Sequence, residues 1–274
     1  MISHGTRALR AIARSRRTDL VAAALALAFV LAGLLAPPSG LLDKADRAAY
    51  AVCHRLPERT FSVAGRPLPL CARCSGTYLG LAVGLAVLAA RGRSRASQFP
   101  APKHLAVFAA FLLIWAIDGL NSYLSFFPGL PHLYKPQNIL RLITGTLQGL
   151  ALAVVALPAI NAGLWADPDD SAAVANWADL LWMLAGGALV VAAVSSEWSP
   201  ILYPLAIASG LTIVASIAAL NVMVLLLVTG RSGRLERWPD VLVLALVGLA
   251  LAAVELAGMG AVRMALEGWL GWPF

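Results

Sequence analysis

Charged residues are scarce in this 274-residue chain. Asp, Glu, Lys and Arg make up only 13% of it, against about a quarter in an ordinary soluble domain. Apolar residues make up 60%, and the mean hydropathy is +0.79. A soluble fold of this size has too little interior to bury so much apolar surface. The composition therefore excludes a soluble domain and indicates that the lipid bilayer is the solvent.

Several other signals are absent as well. Segments of about ten residues with alternating polarity, which would indicate a membrane β-barrel, do not occur. The chain also lacks a Walker loop, a G-x-G-x-x-G turn, an H-E-x-x-H helix and a G-x-S-x-G elbow. Its basic residues lie between apolar segments rather than in one stripe, which argues against a nucleic-acid partner. The sequence assigns no catalytic residue.

The chain does contain seven apolar stretches of membrane-spanning length. A helix needs about 20 apolar residues to cross hydrocarbon about 30 Å thick. The stretches cover about 20–36, 75–90, 104–120, 139–160, 178–196, 201–228 and 240–260. They predict an all-α polytopic transmembrane helix bundle of about seven helices, a multi-pass protein of the inner (plasma) membrane.

Lys and Arg residues predict the orientation of the bundle. Five arginines precede the first span, and the loop at 91–103 carries four basic residues and no acidic one. We therefore predict that the N-terminus lies inside, with a basic cytoplasmic segment at 1–19. A single transmembrane domain follows at 20–274, with an extracytoplasmic loop at 37–74. The first span could also be a cleaved secretory signal, but its apolar core is long for one, and we expect an uncleaved anchor.

All three cysteines of the chain lie in the loop at 37–74. Cys53 is followed by His54, and Cys71 and Cys74 form a C-x2-C. Thiolate sulfur and imidazole nitrogen are the usual ligands of tetrahedral zinc, and three Cys with one His fill a closed site. We predict a zinc site at Cys53, His54, Cys71 and Cys74, with His132 as a substitute for His54. A metal would hold Cys53 next to Cys71, whereas a Cys71–Cys74 disulfide would close only a very short ring.

The same thiols also suit redox chemistry. The C-x2-C lies at the start of the predicted second helix, where the helix dipole and Arg73 would favour a thiolate. The alternative function is therefore a thiol-disulfide oxidoreductase that passes electrons to a membrane quinone, and an extracytoplasmic location favours disulfides. A covalent c-type haem is excluded because Ser75, not His, follows Cys74.

Three ionisable residues lie in or beside the predicted spans. Asp118 ends the third span, Arg141 begins the fourth, and Glu255 lies about fifteen residues into the last. Ionisable groups at membrane depth are expensive, so each is a candidate for function or for pairing. We expect Asp118 to pair with Arg141 and Glu255 to face the bundle interior, and the three to form a polar site toward the outer leaflet.

Small residues recur every four positions on two spans. Such ladders allow helix backbones to approach closely, so they predict helix packing rather than chemistry. The positions are Gly76, Gly80 and Gly84 on the second span, and Gly145, Gly149 and Ala153 on the fourth.

The cysteine loop resembles that of a known family. The matching residues are Cys53-His54-Arg55-Leu56-Pro57-Glu58-Arg59-Thr60-Phe61 and Pro69-Leu70-Cys71-Ala72-Arg73-Cys74-Ser75-Gly76-Thr77-Tyr78-Leu79-Gly80, with a second block at Asp118-Gly119 and Asn138-x2-Arg141-x2-Thr144-Gly145. The resemblance covers about residues 50–150. The family comprises bacterial and archaeal polytopic membrane proteins grouped as a domain of unknown function. The resemblance implies a membrane protein with a Cys/His site and no particular reaction.

Four functions fit these observations. The first is a membrane protein with a zinc-folded outer loop that acts as a scaffold, partner subunit or transport element. The second is the quinone-linked oxidoreductase, the third a carrier or lipid-handling protein that uses the polar site, and the fourth an accessory subunit of a larger membrane complex. The zinc protein is favoured because the redox alternative leaves His54 without a role. The expected partners are the lipid bilayer and other membrane protein subunits.

Overall fold

The computed structural model describes residues 2–63, 65–127 and 129–271, with side chains from residue 17 onward except at 202. The arginine side chains at positions 7–16 therefore lie outside the described residues. In chain order the elements are α1 (Ile2–Leu35), α2 (Leu41–Val52), a 3-10 turn (Pro57–Arg59), β1 (Ser62–Val63), β2 (Arg66–Pro67), α3 (Ala72–Ala90), β3 (Ala96–Gln98), α4 (Pro102–Leu124), α5 (Asn138–Leu164), β4 (Asp169–Ala172), α6 (Trp177–Ser195), α7 (Ser199–Thr229) and α8 (Trp238–Leu270).

Helices of membrane-spanning length dominate the fold. Within the described ranges, seven helices are long and apolar enough to cross a bilayer: α1 from Arg17 onward, and α3 to α8. The predicted all-α polytopic bundle is thereby confirmed, and the chain is a multi-pass membrane protein. The second span begins at Ala72, directly after Cys71, so it includes Cys74, the second cysteine of the C-x2-C. The last helix continues to Leu270, about ten residues beyond the predicted end of its span.

The loop at 37–74 folds into elements of its own. Helix α2 buries Ala45 and Ala49 and packs against α7 and α8. A short antiparallel hairpin, β1 with β2, follows it, and the chain then enters α3. The loop therefore forms a cap on one end of the bundle.

Helices α3 and α5 form the closest helix pair at the centre of the bundle, and glycines make this approach possible. A Cβ added at Gly80 would lie 2.5 Å from the Thr146 carbonyl oxygen, and one at Gly149 would lie 2.6 Å from the Leu81 nitrogen. Real Cβ atoms do not approach backbone atoms so closely. The predicted packing role of the two small-residue ladders is confirmed.

The cysteine loop and the loop at 91–103 lie at opposite ends of the bundle. At one end, which we call the thiol end, Arg59 donates to the Ser122 carbonyl near the end of α4, and Asn138 at the start of α5 donates to the Glu58 carbonyl. At the other end β3 pairs in parallel with β4, and Asn161 of α5 donates to the Ala96 carbonyl. Which end faces the cytoplasm stays a prediction.

Candidate metal centre

Three thiols converge where the chain passes from α2 to α3. Cys53 follows α2, and its amide N–H donates to the Ala49 carbonyl across 2.9 Å. Cys71 directly precedes α3, and Cys74 lies in the first turn of that helix. The three sulfur atoms all lie within 4.8 Å of one another, and all three cysteines are free thiols. We call these residues the thiol cluster.

Apolar side chains surround the thiol cluster. Cys53 and Cys71 are 4% and 3% exposed, whereas Cys74 is half-buried. The two buried cysteines pack with Ala49, Leu70, Ile213 and Leu256, which come from α2, the loop, α7 and α8. An apolar shell of this kind limits solvent access and lowers the local dielectric at a metal or redox site.

One of the three thiols is a good candidate for the thiolate form. Hydrogen bonds from the Cys71 and Cys74 thiols lower the pKa of Cys53 far below its usual range. The hydrogen bond with Cys53 in turn raises the pKa of Cys71 to about 11. The backbone N–H of Cys71 also donates to the Cys53 sulfur across 3.3 Å. The thiolate is the form of cysteine that binds metals and attacks disulfides.

The predicted fourth ligand, His54, lies outside this group of three thiols. Its side chain is exposed, and its Nδ1 accepts a hydrogen bond from the Leu56 backbone N–H at 3.2 Å. The sharp backbone turn lies one residue later, at Arg55, whose φ is 52°. Among the described residues, the group whose donor atoms all lie within 4.8 Å comprises the three cysteines without His54 or His132. A histidine ligand therefore stays a prediction.

An arginine of the last helix holds the backbone beside Cys53. Arg263 donates to the carbonyls of Tyr50, Cys53 and His54, and it pairs with Glu267 at 2.7 Å. The sequence analysis missed this contact because it ended the last span at residue 260. The available signal was the i,i+4 spacing of Arg263 and Glu267, which favours continuation of the helix.

Asp118 forms a buried ion pair with Arg73. The carboxylate is 1% exposed, and the guanidinium that contacts it belongs to the residue directly before Cys74. Tyr134 and Thr144 also donate to it, at 2.6 and 3.1 Å. Burial and the hydrogen bond to Asp118 raise the pKa of Tyr134 to about 12. The expected salt bridge from Asp118 to Arg141 was therefore wrong in its partner.

Arg141 lies in the same polar network with different contacts. Its guanidinium donates to the Ser122 hydroxyl from Nε at 3.1 Å and from Nη2 at 2.9 Å, and to the Asn138 side-chain oxygen at 2.8 Å. Thr144 joins the two predicted residues, because its hydroxyl bonds both the Asp118 carboxylate and the Arg141 carbonyl. The structure thus brings Asp118 and Arg141 together as members of one network.

Glu255 does not belong to that network. It lies on an exposed face of α8, so the expectation that it faces the bundle interior was wrong. Helix α8 packs against α1, α2 and α7, whereas Asp118 and Arg141 lie on α4 and α5. The residues on both sides of Glu255 in the sequence are apolar. They therefore could not indicate whether its side chain faces the lipid or the bundle interior.

Comparison with known proteins agrees with a membrane protein. Residues 53–155 match the family described as "Predicted membrane protein (DUF2085)". An uncharacterised protein of Methanothermobacter thermautotrophicus is 34% identical over 104 residues, which cover 38% of this chain and 83% of that protein. The chain belongs to the DUF2085 family. A second relative, an uncharacterised protein of Methanocaldococcus jannaschii, is 30% identical over 107 residues, which cover 39% of this chain and 62% of that protein.

The DUF2085 match covers the centre of the site. It begins at Cys53 and ends within α5, so it contains the thiol cluster, Asp118 and Arg141. Arg263 and Glu255 lie beyond it. No solved structure matches the chain.

Proposed function

We propose that Cys53, Cys71 and Cys74 bind one zinc ion and that this metal holds the cap to the bundle, as part of a membrane scaffold. One observation carries the proposal: three free sulfur atoms within 4.8 Å of one another at the junction of α2 and α3. Zinc–sulfur bonds of about 2.3 Å in a tetrahedron separate the sulfur atoms by roughly 3.8 Å. Only a small contraction of the cluster would form such a site.

The surroundings of the thiols favour a structural metal. Two of the three cysteines are buried, and the residues that pack around them belong to α2, α3, α7 and α8. A metal at this point would link elements that are far apart in sequence, and its binding energy would then add to the stability of the fold. We propose His54 as the fourth ligand, with the extracytoplasmic side as its location.

Metal analysis with a thiol count tests the proposal. The protein is purified without reductant, its metals are measured by mass spectrometry, and its accessible thiols are titrated before and after chelation. We expect about one equivalent of zinc, and three thiols that react only after the chelator is added. Zinc, iron and copper each below about 0.2 equivalents, together with a mass gain of two hydrogens on reduction, would contradict a metal site.

A matched pair of histidine variants tests the fourth ligand. We expect His54→Ala to lose its zinc at a lower chelator concentration than the parent protein does, because the metal would then lack the fourth ligand of a closed site. His132→Ala is the comparison, because this exposed histidine at the thiol end is the alternative ligand named from the sequence. Zinc retention by His54→Ala equal to that of the parent protein would show that His54 is not a ligand, and a loss of zinc in His132→Ala instead would identify His132.

The second candidate function is the thiol-disulfide oxidoreductase. The observation that favours it is that Cys53 lies within reach of both other thiols while Cys74 is partly accessible. Such an arrangement allows an accessible thiol to react with a partner and the buried ones to resolve the mixed disulfide. The burial of Cys53 and Cys71 opposes a direct reaction with partner or quinone, so zinc is preferred. The same mass measurement on reduction distinguishes the two functions.

A further inference from the structure

Three guanidinium groups meet at the end of α4. Arg141 donates to the Ser122 hydroxyl, and Arg59 donates to the Ser122 carbonyl at 3.3 Å. One helical turn earlier, Arg73 donates to both the carbonyl and the carboxylate of Asp118. We call Arg59, Arg73 and Arg141 the arginine cluster.

The arginine cluster has more positive than negative charge. Asp118 is the carboxylate in contact with it, and the nearby Glu58 is exposed on the loop. Arg59 and Arg141 are only 8% and 6% exposed. Burial and the Arg141 guanidinium, with a further contribution from Arg73, lower the pKa of Arg59. Like charges buried together without matching anions are expensive, so such an arrangement indicates a missing counter-charge.

The cluster also has hydrogen-bond donors to spare. A guanidinium carries five N–H donors. Among the residues that the structure describes, Arg59 donates one hydrogen bond, and it stacks over the Phe126 ring at 3.7 Å. The Nε of Arg73 is buried and has no hydrogen-bond partner within the part of the chain that the structure describes. Buried donors without partners cost free energy, which a ligand with several acceptor oxygens would recover.

We propose that Arg59, Arg73 and Arg141 form a binding site for a phosphoryl oxyanion. The planar guanidinium fork matches the oxygens of a phosphate group in a bidentate way, and three forks would supply both the charge and the donors that the anion requires. Free phosphate and the headgroup of a phospholipid share this chemistry, and the site lies near the end of α4, a helix of membrane-spanning length. The proposal does not depend on zinc in the thiol cluster.

Thermal unfolding of the delipidated protein in an uncharged detergent tests the site. The probe is inorganic phosphate, compared with sodium chloride at equal ionic strength. We expect phosphate to raise the Tm of the parent protein by several degrees. Arg59→Gln should abolish this rise. Arg59→Lys, which keeps the charge and is a fallback if the first variant does not fold, should weaken phosphate binding about tenfold.

Arg66→Gln is the matched control. Arg66 lies at the same end of the bundle but pairs with Asp43 and Asp46 on the surface, so its loss should leave the phosphate effect unchanged. The phosphorus of co-purified lipid is measured in the same proteins. About one equivalent in the parent and Arg66→Gln proteins, with none in the Arg59 variants, would support the site and identify a lipid headgroup as the source of the phosphate. A phosphate effect without co-purified lipid would support it with free phosphate as the source.

Two results would overturn the proposal: no phosphate effect and no retained lipid in a folded parent protein, or equal effects in all variants. The first would leave the thiolates of the neighbouring cluster as the counter-charge. Zinc content measured on the same samples keeps the two proposals separate, because a zinc-free protein that binds phosphate contradicts only the metal site.

Discussion

Arg73 joins the two chemical groups at the thiol end. It lies between Cys71 and Cys74 in the sequence, and its guanidinium pairs with Asp118 on α4. Any shift of the cysteine-bearing end of α3 relative to α4 therefore has to stretch a buried ion pair. The loss of one partner of such a pair leaves an uncompensated buried charge, which is far more costly than the loss of both.

We predict strong energetic coupling between Arg73 and Asp118. Arg73→Ala and Asp118→Ala should each lower the free energy of unfolding by about 3–5 kcal/mol, and the double variant should lose clearly less than the sum. Denaturant unfolding in detergent measures the three values. The Arg141→Ala and Asp118→Ala pair is the comparison and should show weaker coupling, because Thr144 mediates the contact. Additive losses for Arg73 and Asp118 would contradict the ion pair.

Sequence spacing could locate these residues but could not pair them. Asp118 and Arg141 were both predicted as members of a polar site because ionisable groups at membrane depth are expensive. Arg73 was assigned to the thiols, because the sequence shows its neighbours along the chain and not those across the bundle. The choice between the two arginines depends on the rotation of α3 against α4, and a single sequence contains no information on that angle.

At the scale of elements, α3 and α5 fix the position of the whole site. Gly145 approaches the backbone of Arg73, and Gly149 approaches that of Thr77 and Leu81. These contacts set the height of the thiol-bearing end of α3 against the start of α5, where Arg141 lies. Lipid offers no hydrophobic drive for helix association, so close van der Waals packing carries this interface.

We predict that Gly149→Ala destabilises the bundle. The added methyl group would overlap the backbone of α3, and overpacking of this kind costs about 1–3 kcal/mol. A fall in Tm in detergent is the expected readout.

Gly119→Ala is the matched control for this change. Gly119 also lies within a spanning helix, but a Cβ at that position would meet nothing within 4 Å. Its replacement should leave stability unchanged or raise it by up to about 1 kcal/mol, since Ala favours the helix. An equal loss in both variants would mean that the effect is not due to close packing.

Spanning helices were predictable because length and hydropathy alone define them. The break between α6 and α7 lies where the predicted spans 178–196 and 201–228 are separated, and the two helices end and begin at Ser195 and Ser199. Of the cap, the sequence predicted only a loop at 37–74. Helix α2 within it has an apolar and a charged face, but its twelve residues are too few for a span. Its position depends on contacts with α7 and α8, which lie far away in the sequence.

At the scale of the whole molecule, the two ends of the bundle differ in their polar structure. The thiol end holds the thiol cluster and the arginine cluster. The opposite end holds Asp179, which is fully buried and pairs with Arg91 at 2.9 Å, beside the parallel β3 and β4 strands. The positive-inside rule predicts that the end with the loop at 91–103 faces the cytoplasm.

We predict that an impermeant maleimide distinguishes the two ends in intact cells. Ser39→Cys should be labelled, and Ser94→Cys should be labelled only after the membrane is permeabilised. Both serines are exposed, and they lie at opposite ends of the bundle. The parent protein gives the baseline for its own thiols, two of which are buried. Labelling at position 94 without labelling at position 39 would reverse the orientation.

The contact of Arg263 with the Cys53 carbonyl sets an order of events during synthesis. The two residues are 210 positions apart. A ribosome that adds about 5–20 residues per second needs roughly 10–40 s to cover that distance. For this interval the cysteines have left the ribosome while the helix that holds their backbone has not yet been made. The thiols are therefore present before α8 is made and can pack against them.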